Sequence, residues 1–242
     1  MNKTANTKQG FTLIELLTVI AILAILGAII FPTVGQFRTL AKKSSDSSDL
    51  RNIVQASQLF AAQNGERLVG PEQTLGVGGV VDTGGVDLID VAAVLAYGGE
   101  LEDPKTWISA NETFPETATG GLFTFTAATA PATEGTYAAS TLYEPEDFSF
   151  SYVTGLETSD SANTPVVFTR QSGTAGSWDA GDPYGNDGGH VAFLGGSVNW
   201  YDGTLENRLV QPTGQPADTI AAAIPVAVTN IKEAEAATTP TP

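Results

Sequence analysis

The sequence predicts an α+β protein, in which a small antiparallel β-sheet follows one long N-terminal α-helix. The helix is indicated by an apolar run that leads into a stretch, Gln36 to Asn64, without any Gly or Pro. The sheet is indicated by short segments of alternating apolar and polar residues in the second half of the chain. A chain of 242 residues is long enough for one substantial domain with an appendage.

The first element is the apolar run itself, which extends from Phe11 to Phe31 and contains one charged residue, Glu15. About 20 apolar residues cross a bilayer as an α-helix, so the run predicts a transmembrane helix. A secretory signal peptide would have a shorter apolar core and a small-residue cleavage site, but this run ends at Pro32 without one. An ordinary uncleaved anchor stays open as an alternative, with Glu15 as an interfacial residue.

The second half of the helix is predicted to be amphipathic. Leu50, Ile53 and Val54, and then Phe60, recur at helical spacing, and Asn64-Gly65 gives a stop signal. The polar stretch SSDSSD at residues 44–49 consists of poor helix formers, which predicts a solvated or frayed turn. The sequence leaves this helix both a polar face and an apolar face.

Two residues interrupt the apolar part of the helix, Gly27 and Pro32. Proline cannot donate its backbone hydrogen bond and clashes with the preceding turn, so Pro32 predicts a kink. Two interpretations stay open. One is a tolerated bend, and the other is a segment that melts when the protein is packed into a larger assembly.

The globular part is predicted to contain a second helix and at least four strands. Leu88, Val91, Ala92 and Leu95 form one face of a helix that ends at Gly98-Gly99. Residues 148–155 alternate as a half-buried strand, and a second strand follows at 164–170. Residues 190–201 predict a hairpin with a two-residue turn at Gly195-Gly196.

The hairpin register follows from that turn. It pairs Val191 with Trp200 and places both on the buried face with Phe193 and Val198. His190, the single histidine of the chain, then lies on the other face as a polar residue at the end of the strand. A catalytic or metal-binding histidine is the less favoured interpretation.

Composition excludes several kinds of chemistry. The chain has no cysteine, which excludes disulfides, thiolate catalysis and cysteine zinc sites. It also lacks a serine-hydrolase elbow, a phosphate-binding loop and a second histidine, so we expect a protein that is not an enzyme. Residues 1–43 carry a net charge of +4 and residues 44–242 a net charge of −20. We expect no direct nucleic-acid binding, because this acidic part repels phosphates.

One oxygen-rich loop remains as a candidate metal site. Asp179, Asp182, Asn186 and Asp187 lie within nine residues, and calcium takes six to eight oxygen ligands from loops of this kind. The spacing is not that of an EF-hand, and acidic Gly-rich turns are common without any metal. We predict no cofactor, with structural calcium at these four residues as the alternative to a plain turn.

The N-terminus resembles that of the type IV pilin superfamily, which includes pilins and the pseudopilins of type II secretion. The short basic leader MNKTANTKQG ends at Gly10, the apolar run begins at Phe11, and Glu15 takes the fifth position after that junction. The resemblance covers about 30 residues closely. It implies cleavage between Gly10 and Phe11 by an inner-membrane prepilin peptidase, N-methylation of Phe11 and a long helix that is half in the membrane and half docked on a globular domain.

The resemblance also implies a role for Glu15 in assembly, in which its carboxylate pairs with the new amino group of Phe11 in the same or a neighbouring subunit. The implied partners are other pilin-like subunits in a filament, prepilin peptidase, the inner-membrane assembly platform and, before assembly, membrane lipid. The globular domain together with the part of the helix that packs on it, called the body below, would lie in the periplasm or outside the cell. A pseudopilus is favoured over a pilus, because a cysteine-free chain cannot form the disulfide-closed loop frequent in pilus-forming pilins.

These interpretations divide the chain into five parts. They are a leader at 1–10, a transmembrane and assembly helix at 11–32, an amphipathic half at 33–65, a globular α+β domain at 66–226 and a disordered tail at 227–242. An alternative function of another class stays open, namely a membrane-anchored extracellular binding or adhesion protein that uses a pilin-like leader only for sorting.

Overall fold

The computed structural model describes residues 13–82, 87–113, 120–127, 134–225 and 231–234, and within them it leaves out the side chains of 29–33. The chain separates into two compact units, one of residues 1–41 and one of residues 42–242. The boundaries predicted at residues 10, 32, 65 and 226 stay predictions. The candidate processing residues Gly10 and Phe11 lie outside the described residues.

The helices and strands alternate irregularly along the chain. They are α1 (Leu13–Gln63), β1 (Gln73–Gly76), β2 (Gly79–Asp82), α2 (Leu88–Gly98), β3 (Phe123–Thr126), β4 (Thr136–Ala139), β5 (Phe150–Val153), β6 (Pro165–Thr169), β7 (Gly189–Phe193), β8 (Val198–Tyr201), β9 (Leu209–Val210), β10 (Pro216–Ala217), α3 (Ile220–Ala223) and β11 (Ile231–Lys232). The largest sheet is antiparallel, with the strand order β11-β5-β6-β7-β8. A long N-terminal helix followed by small antiparallel sheets confirms the α+β prediction.

The helix α1 ends close to the predicted stop. The backbone N–H groups of Asn64 and Glu66 both donate to the carbonyl of Ala61, and Gly65 takes a positive φ of 67°. This left-handed residue is a common way to satisfy the last carbonyls of a helix. The backbone is helical through Gly27 and Pro32, without an interruption.

The predicted frayed turn at residues 44–49 is wrong, because all six residues lie inside α1. Within this stretch Asp46 has no exposed surface and accepts hydrogen bonds from other parts of the body. Weak helix propensity amounts to a few tenths of a kcal/mol per residue, and tertiary contacts readily exceed it.

One apolar core holds the second unit together. The predicted buried face of the helix is confirmed, since Leu50, Ile53, Val54 and Phe60 are all at most 1% exposed. These residues share the core with α2, β5, β6 and β7. A polar contact runs through it, in which the Tyr152 hydroxyl donates to Ser57 Oγ at 2.9 Å.

The strands predicted at 148–155 and 164–170 are confirmed as β5 and β6. The expectation that β5 is half-buried is wrong, because all four of its residues are buried. The predicted disordered tail is also wrong for residues 231–234, of which the first two pair with β5 as β11. Both sets of alternating side chains are buried when other parts of the protein cover both faces of the sheet, which alternation within the strand does not reveal.

The hairpin β7–β8 forms, but its register differs from the prediction by one residue. His190 lies opposite Trp200, and Val191 lies opposite Asn199. The loop holds three residues rather than two, with a hydrogen bond from Gly196 N to Phe193 O and a φ of 82° at Gly196. A one-residue slip moves side chains to the opposite face. His190 is therefore a buried residue inside the strand, on the same face as Trp200.

Candidate functional site

The N-terminal part of α1 carries the candidate assembly residue. Glu15 lies in the first turn of the helix and is exposed. The Thr18 hydroxyl donates to the backbone carbonyl of Glu15 at 3.0 Å, a local bond that leaves the helix intact. An acidic side chain in the first turn interacts favourably with the positive end of the helix dipole.

The same part of the helix is covered by exposed apolar side chains. Ten of the fourteen residues from Leu13 to Leu26 are large, apolar and between 49% and 82% exposed. They surround the helix on every side, because successive residues are rotated by about 100°. A helix that is apolar all round belongs inside a core or a membrane, and each such side chain gains about 1.5–3 kcal/mol on burial.

No helix in the described part of the chain is long and apolar enough to cross a membrane. That part begins at Leu13, and it leaves out the side chains of residues 29–33.

In the body, Asp46 fixes α1 through a buried polar contact. Its carboxylate accepts hydrogen bonds from the Ser109 hydroxyl, from Ala110 N at 2.8 Å and from the Tyr184 hydroxyl at 2.9 Å. Burial raises the pKa of Asp46 above 3.8, although the three donors oppose this shift. A buried polar group is tolerated only when such partners are present.

The contact continues as a network across the body. Ser109 N donates to Ser149 Oγ at 2.8 Å, and the Ser149 hydroxyl donates to Glu112. Glu112 forms an ion pair with Arg170, whose guanidinium also donates to Phe148 O at 2.8 Å. We call the side chains of Asp46, Ser109, Ser149, Glu112 and Arg170 the polar network. It links α1 to the segment before β5 and to the end of β6.

An aromatic cluster lies beside this network. The Lys43 ammonium lies 3.4 Å from the centre of the Trp200 ring, within the range of a cation–π interaction. The His190 ring lies 4.8 Å from Trp200 and 6.2 Å from Tyr184. Burial, and next the charge of Lys43, lowers the pKa of His190 from 6.5 to about 4. His190 is therefore neutral at pH 7, and its Nδ1 has no hydrogen-bond partner among the described residues.

Two of the four candidate calcium residues, Asp179 and Asp182, accept hydrogen bonds from backbone N–H groups of nearby residues. Asp182 accepts from Ser172 N and from Asp179 N, both at 2.8 Å, and Asp179 accepts from Gly181 N at 3.0 Å. Nowhere in the described ranges do three or more His, Cys, Asp or Glu side chains form a group that could hold a metal ion. The calcium interpretation, which also included Asn186 and Asp187, gains no support, and the plain turn accounts for Asp179 and Asp182.

Neither Asp46 nor Lys43 was among the residues that the sequence predicted to be functional. A signal for Asp46 was present, because it lies four residues before Leu50 and therefore on the same face of the helix as the predicted core. Composition had assigned this polar stretch to solvent. Only the partners from residues 109, 110 and 184 show why a carboxylate belongs on the buried face.

Comparison with known proteins places a signature at the N-terminus. Residues 5–31 match the prokaryotic N-terminal methylation motif. This motif is the signature of type IV pilins and pseudopilins, and it confirms the resemblance in the first thirty residues. No curated protein and no solved structure matches the chain. The motif indicates a pilin-like precursor that prepilin peptidase processes.

Proposed function

We propose, because the chain carries the N-terminal methylation motif of type IV pilins and pseudopilins, that it is a structural subunit of a helical filament. The motif match over residues 5–31 is the observation that carries this proposal. Prepilin peptidase cuts between Gly10 and Phe11, removes residues 1–10 and leaves Phe11 as the N-methylated first residue. The mature subunit is then assembled with other pilin-like subunits.

The exposed apolar side chains from Leu13 to Leu26 support the view that the subunit occupies two apolar environments in succession. Its large apolar side chains are costly in water, so they need an apolar partner on every side. In this proposal, lipid of the inner membrane surrounds residues 11–32 before assembly, and the helices of neighbouring subunits surround them in the filament. The body stays in the periplasm or outside the cell.

Glu15 sets the register of assembly in this proposal. Cleavage creates an amino group at Phe11, which is cationic at neutral pH because its pKa is about 8. A charge in an apolar environment is expensive unless it is paired, and the Glu15 carboxylate is the acidic group nearest to it in sequence. Removing one partner of a buried pair costs about 3–5 kcal/mol, enough for one carboxylate to control incorporation.

Within this class we favour a type II secretion pseudopilus over a type IV pilus. The chain has no cysteine and therefore lacks a disulfide-closed C-terminal loop. The inner-membrane assembly platform is the expected partner in either system.

Mass spectrometry of the mature protein from its native host tests the proposal. We expect a chain that begins at Phe11 with one added methyl group on the amino nitrogen. A matched Gly10→Val variant should keep residues 1–10, because the resemblance places the cut directly after a Gly. Intact Met1, or a cut beyond Pro32, would contradict the proposal. Correct processing without filaments in electron micrographs would instead favour the membrane-anchored binding protein.

A further inference from the structure

A cleft runs along one edge of the exposed face of α1 in the body. It has a volume of about 310 Å³ and lies between α1 and the residues that follow α2. Leu59, which is 38% exposed, and the half-buried Leu101 line it with apolar surface. Three exposed polar residues, Asn52, Gln55 and Glu100, line it as well. The cleft therefore combines two apolar side chains with two amides and one carboxylate.

Two glycines bring the walls of this cleft together. A Cβ atom at Gly99 would lie 2.7 Å from the backbone oxygen of Ala56. A Cβ atom at Gly98 would lie 2.8 Å from the ring of Phe60. Glycine allows the end of α2 to approach α1 this closely, because it has no side chain. Backbone packing thus holds Glu100 beside α1, and the cleft is formed before any partner binds.

Glu100 has a backbone conformation that few residues with a side chain adopt. Its φ is 59°, and Leu101 N donates to Leu95 O, which closes α2 with Glu100 in the left-handed position. Glycine is the usual residue there, because a Cβ atom makes this conformation costly. The Glu100 carboxylate is exposed and forms no ion pair within the described part of the chain. Contacts among the described residues do not account for a glutamate here, which points to a role outside the fold.

The opposite edge of the same helical face carries a cation. Arg51 is exposed on the side of the β7–β8 turn, where its Nε donates to Gly196 O at 3.5 Å. It forms no ion pair in the described ranges, and Asp160 on that side accepts from Glu157 N at 2.8 Å instead. Arg51 and Asn52 are about 100° apart around the helix. The cation and the cleft therefore lie on different edges of one surface.

Charge favours this surface as the place where two copies of the body meet. Residues 44–242 carry a net charge of −20, so two bodies repel each other. Residues 50–65 contain no Asp or Glu, and Arg51 is their single charged residue. When Arg51 of one copy approaches the cleft of another, it meets the unpaired carboxylate of Glu100. Attraction then replaces repulsion at the contact, and every copy supplies both partners.

We propose that the cleft is a docking site for a second copy of this chain, whose Arg51 pairs with Glu100 and whose exposed helical face packs on Leu59 and Leu101. The inference rests on the proposed function, in which assembled subunits lie side by side. Each copy binds one neighbour at its cleft and another at its Arg51 edge, because the two surfaces differ. A heterologous contact of this kind repeats from copy to copy and builds a helical filament when it does not close into a ring.

Reversal of the two charges tests the contact in the full-length protein. Arg51→Glu and Glu100→Arg should each lower incorporation into filaments by about tenfold or more, relative to equal amounts of membrane-inserted subunit. The double variant Arg51→Glu/Glu100→Arg should recover about half of the wild-type incorporation or more, because it restores the pair with opposite signs. Arg208→Glu and Glu206→Arg are matched controls at exposed positions outside this face and should have no effect. Single variants that behave like the controls, or a double variant without recovery, would overturn the inference.

Glu100→Gly separates docking from folding. Glycine relieves the left-handed backbone, so the melting temperature of the body should not fall. Incorporation should still drop as in Glu100→Arg, because the carboxylate is lost. Wild-type incorporation of Glu100→Gly would show that this carboxylate takes no part in docking.

Cross-linking in membranes distinguishes a failed contact from a failed filament, and the chain has no cysteine to interfere. Ser47 lies one turn before Arg51, and Glu102 lies two residues after Glu100, so cysteines at these positions keep both charges. Differently tagged Ser47→Cys and Glu102→Cys chains, co-expressed and treated with a bis-maleimide, should give a mixed dimer. Its yield should exceed that of Ser47→Cys with Glu206→Cys by about tenfold or more, and Arg51→Glu in the first chain should remove the excess.

The two readouts together decide each case. A charge-dependent cross-link without filaments would support the docking site and contradict the proposed function. Filaments without a charge-dependent cross-link would overturn the docking site and leave the proposed function standing. The absence of both would contradict both.

Discussion

The two halves of α1 differ in where they place their apolar side chains. From Leu13 to Leu26, large apolar residues surround the helix and are at least 49% exposed. From Leu50 to Phe60, the apolar residues other than Leu59 lie on one face and are at most 5% exposed. The second half packs against its own chain, whereas lipid or other subunits cover the first half only in the proposed function. In that proposal, one helix combines an element of the fold with an element of assembly.

The acidic residues divide in the same way. Glu15 is exposed near the start of the described helix, and Asp46 is fully buried in the part that packs on the body, where it joins the polar network. We therefore expect a change at Glu15 to affect assembly without affecting the stability of the body. A change at Asp46 should lower the stability of the body without affecting assembly directly.

Glu15→Ala should abolish or sharply reduce incorporation into filaments, because the amino group of Phe11 would then enter an apolar environment unpaired. Processing at Gly10 and the melting temperature of the body should not change. Glu15→Asp should be partly defective, since the shorter side chain reaches less far. Filaments should be sheared, purified and quantified relative to equal amounts of membrane-inserted subunit. Incorporation of Glu15→Ala at the wild-type level would show that Glu15 is only an interfacial residue.

Asp46→Ala should destabilise the body by about 3 kcal/mol, because the Ser109 hydroxyl, Ala110 N and the Tyr184 hydroxyl lose a buried acceptor together. Urea unfolding of the full chain in detergent, followed by tryptophan fluorescence, measures this loss. Ser48→Ala is the matched control, since Ser48 lies on the exposed side of the same helix. Equal unfolding midpoints for the two variants would show that the polar network does not stabilise the body.

The contrast between the two halves also explains what the sequence could predict. A helix of this length, its stop at Asn64-Gly65 and the buried stripe from Leu50 onward follow from local spacing, which a single chain displays fully. The processing motif is equally local, which is why residues 5–31 were recognisable. Features that depend on one segment alone could therefore be predicted from the sequence.

Features that depend on partners far away in the sequence could not be predicted. The polar residues at 44–49 were assigned to a turn, because nothing near them in sequence indicates Tyr184 or Ser109 as donors. The predicted hairpin register was wrong by one residue, because Gly195-Gly196 fits both a two-residue and a three-residue loop. β11 could not be foreseen, since two residues pair only because β5 offers an edge.

The aromatic cluster should make the body sensitive to acid through His190. Its pKa is about 6.5 when unfolded and about 4 when buried, so the unfolded state binds the proton more readily. Stability from His190 is thus present above pH 6.5 and falls as the pH drops towards 4, by at most about 3 kcal/mol. His190→Phe should remove this part of the pH dependence. Urea unfolding at pH 7, 5.5 and 4.5 should show that the free energy of unfolding of the wild type falls, relative to that of His190→Phe, as the pH drops.

Protonation of Asp49 changes the stability of the body in the opposite direction to protonation of His190, over the same pH range. The two contributions must therefore be measured separately. Burial, and next the nearby Asp46 and Asp103, raises the pKa of Asp49 from 3.8 to about 6. Its folded form therefore takes up a proton first, which stabilises the body as the pH falls from about 6 to 4. Asp49→Asn in the His190→Phe background isolates this opposite slope. If His190→Phe and wild type keep a constant stability difference from pH 7 to 4.5, the assignment to His190 is wrong.

The smallest effect is expected from removal of divalent cations. Asp179 and Asp182 accept backbone hydrogen bonds from within their own turn, and the described residues offer no cluster of three or more ligands there. A ligand that binds the native state would raise the melting temperature in proportion to its occupancy. We therefore expect the same melting temperature with excess calcium and with chelator. Asp182→Asn should lower stability equally in both, because it weakens the turn rather than a metal site. A chelator-sensitive melting temperature that becomes insensitive in Asp182→Asn would instead establish calcium at this loop.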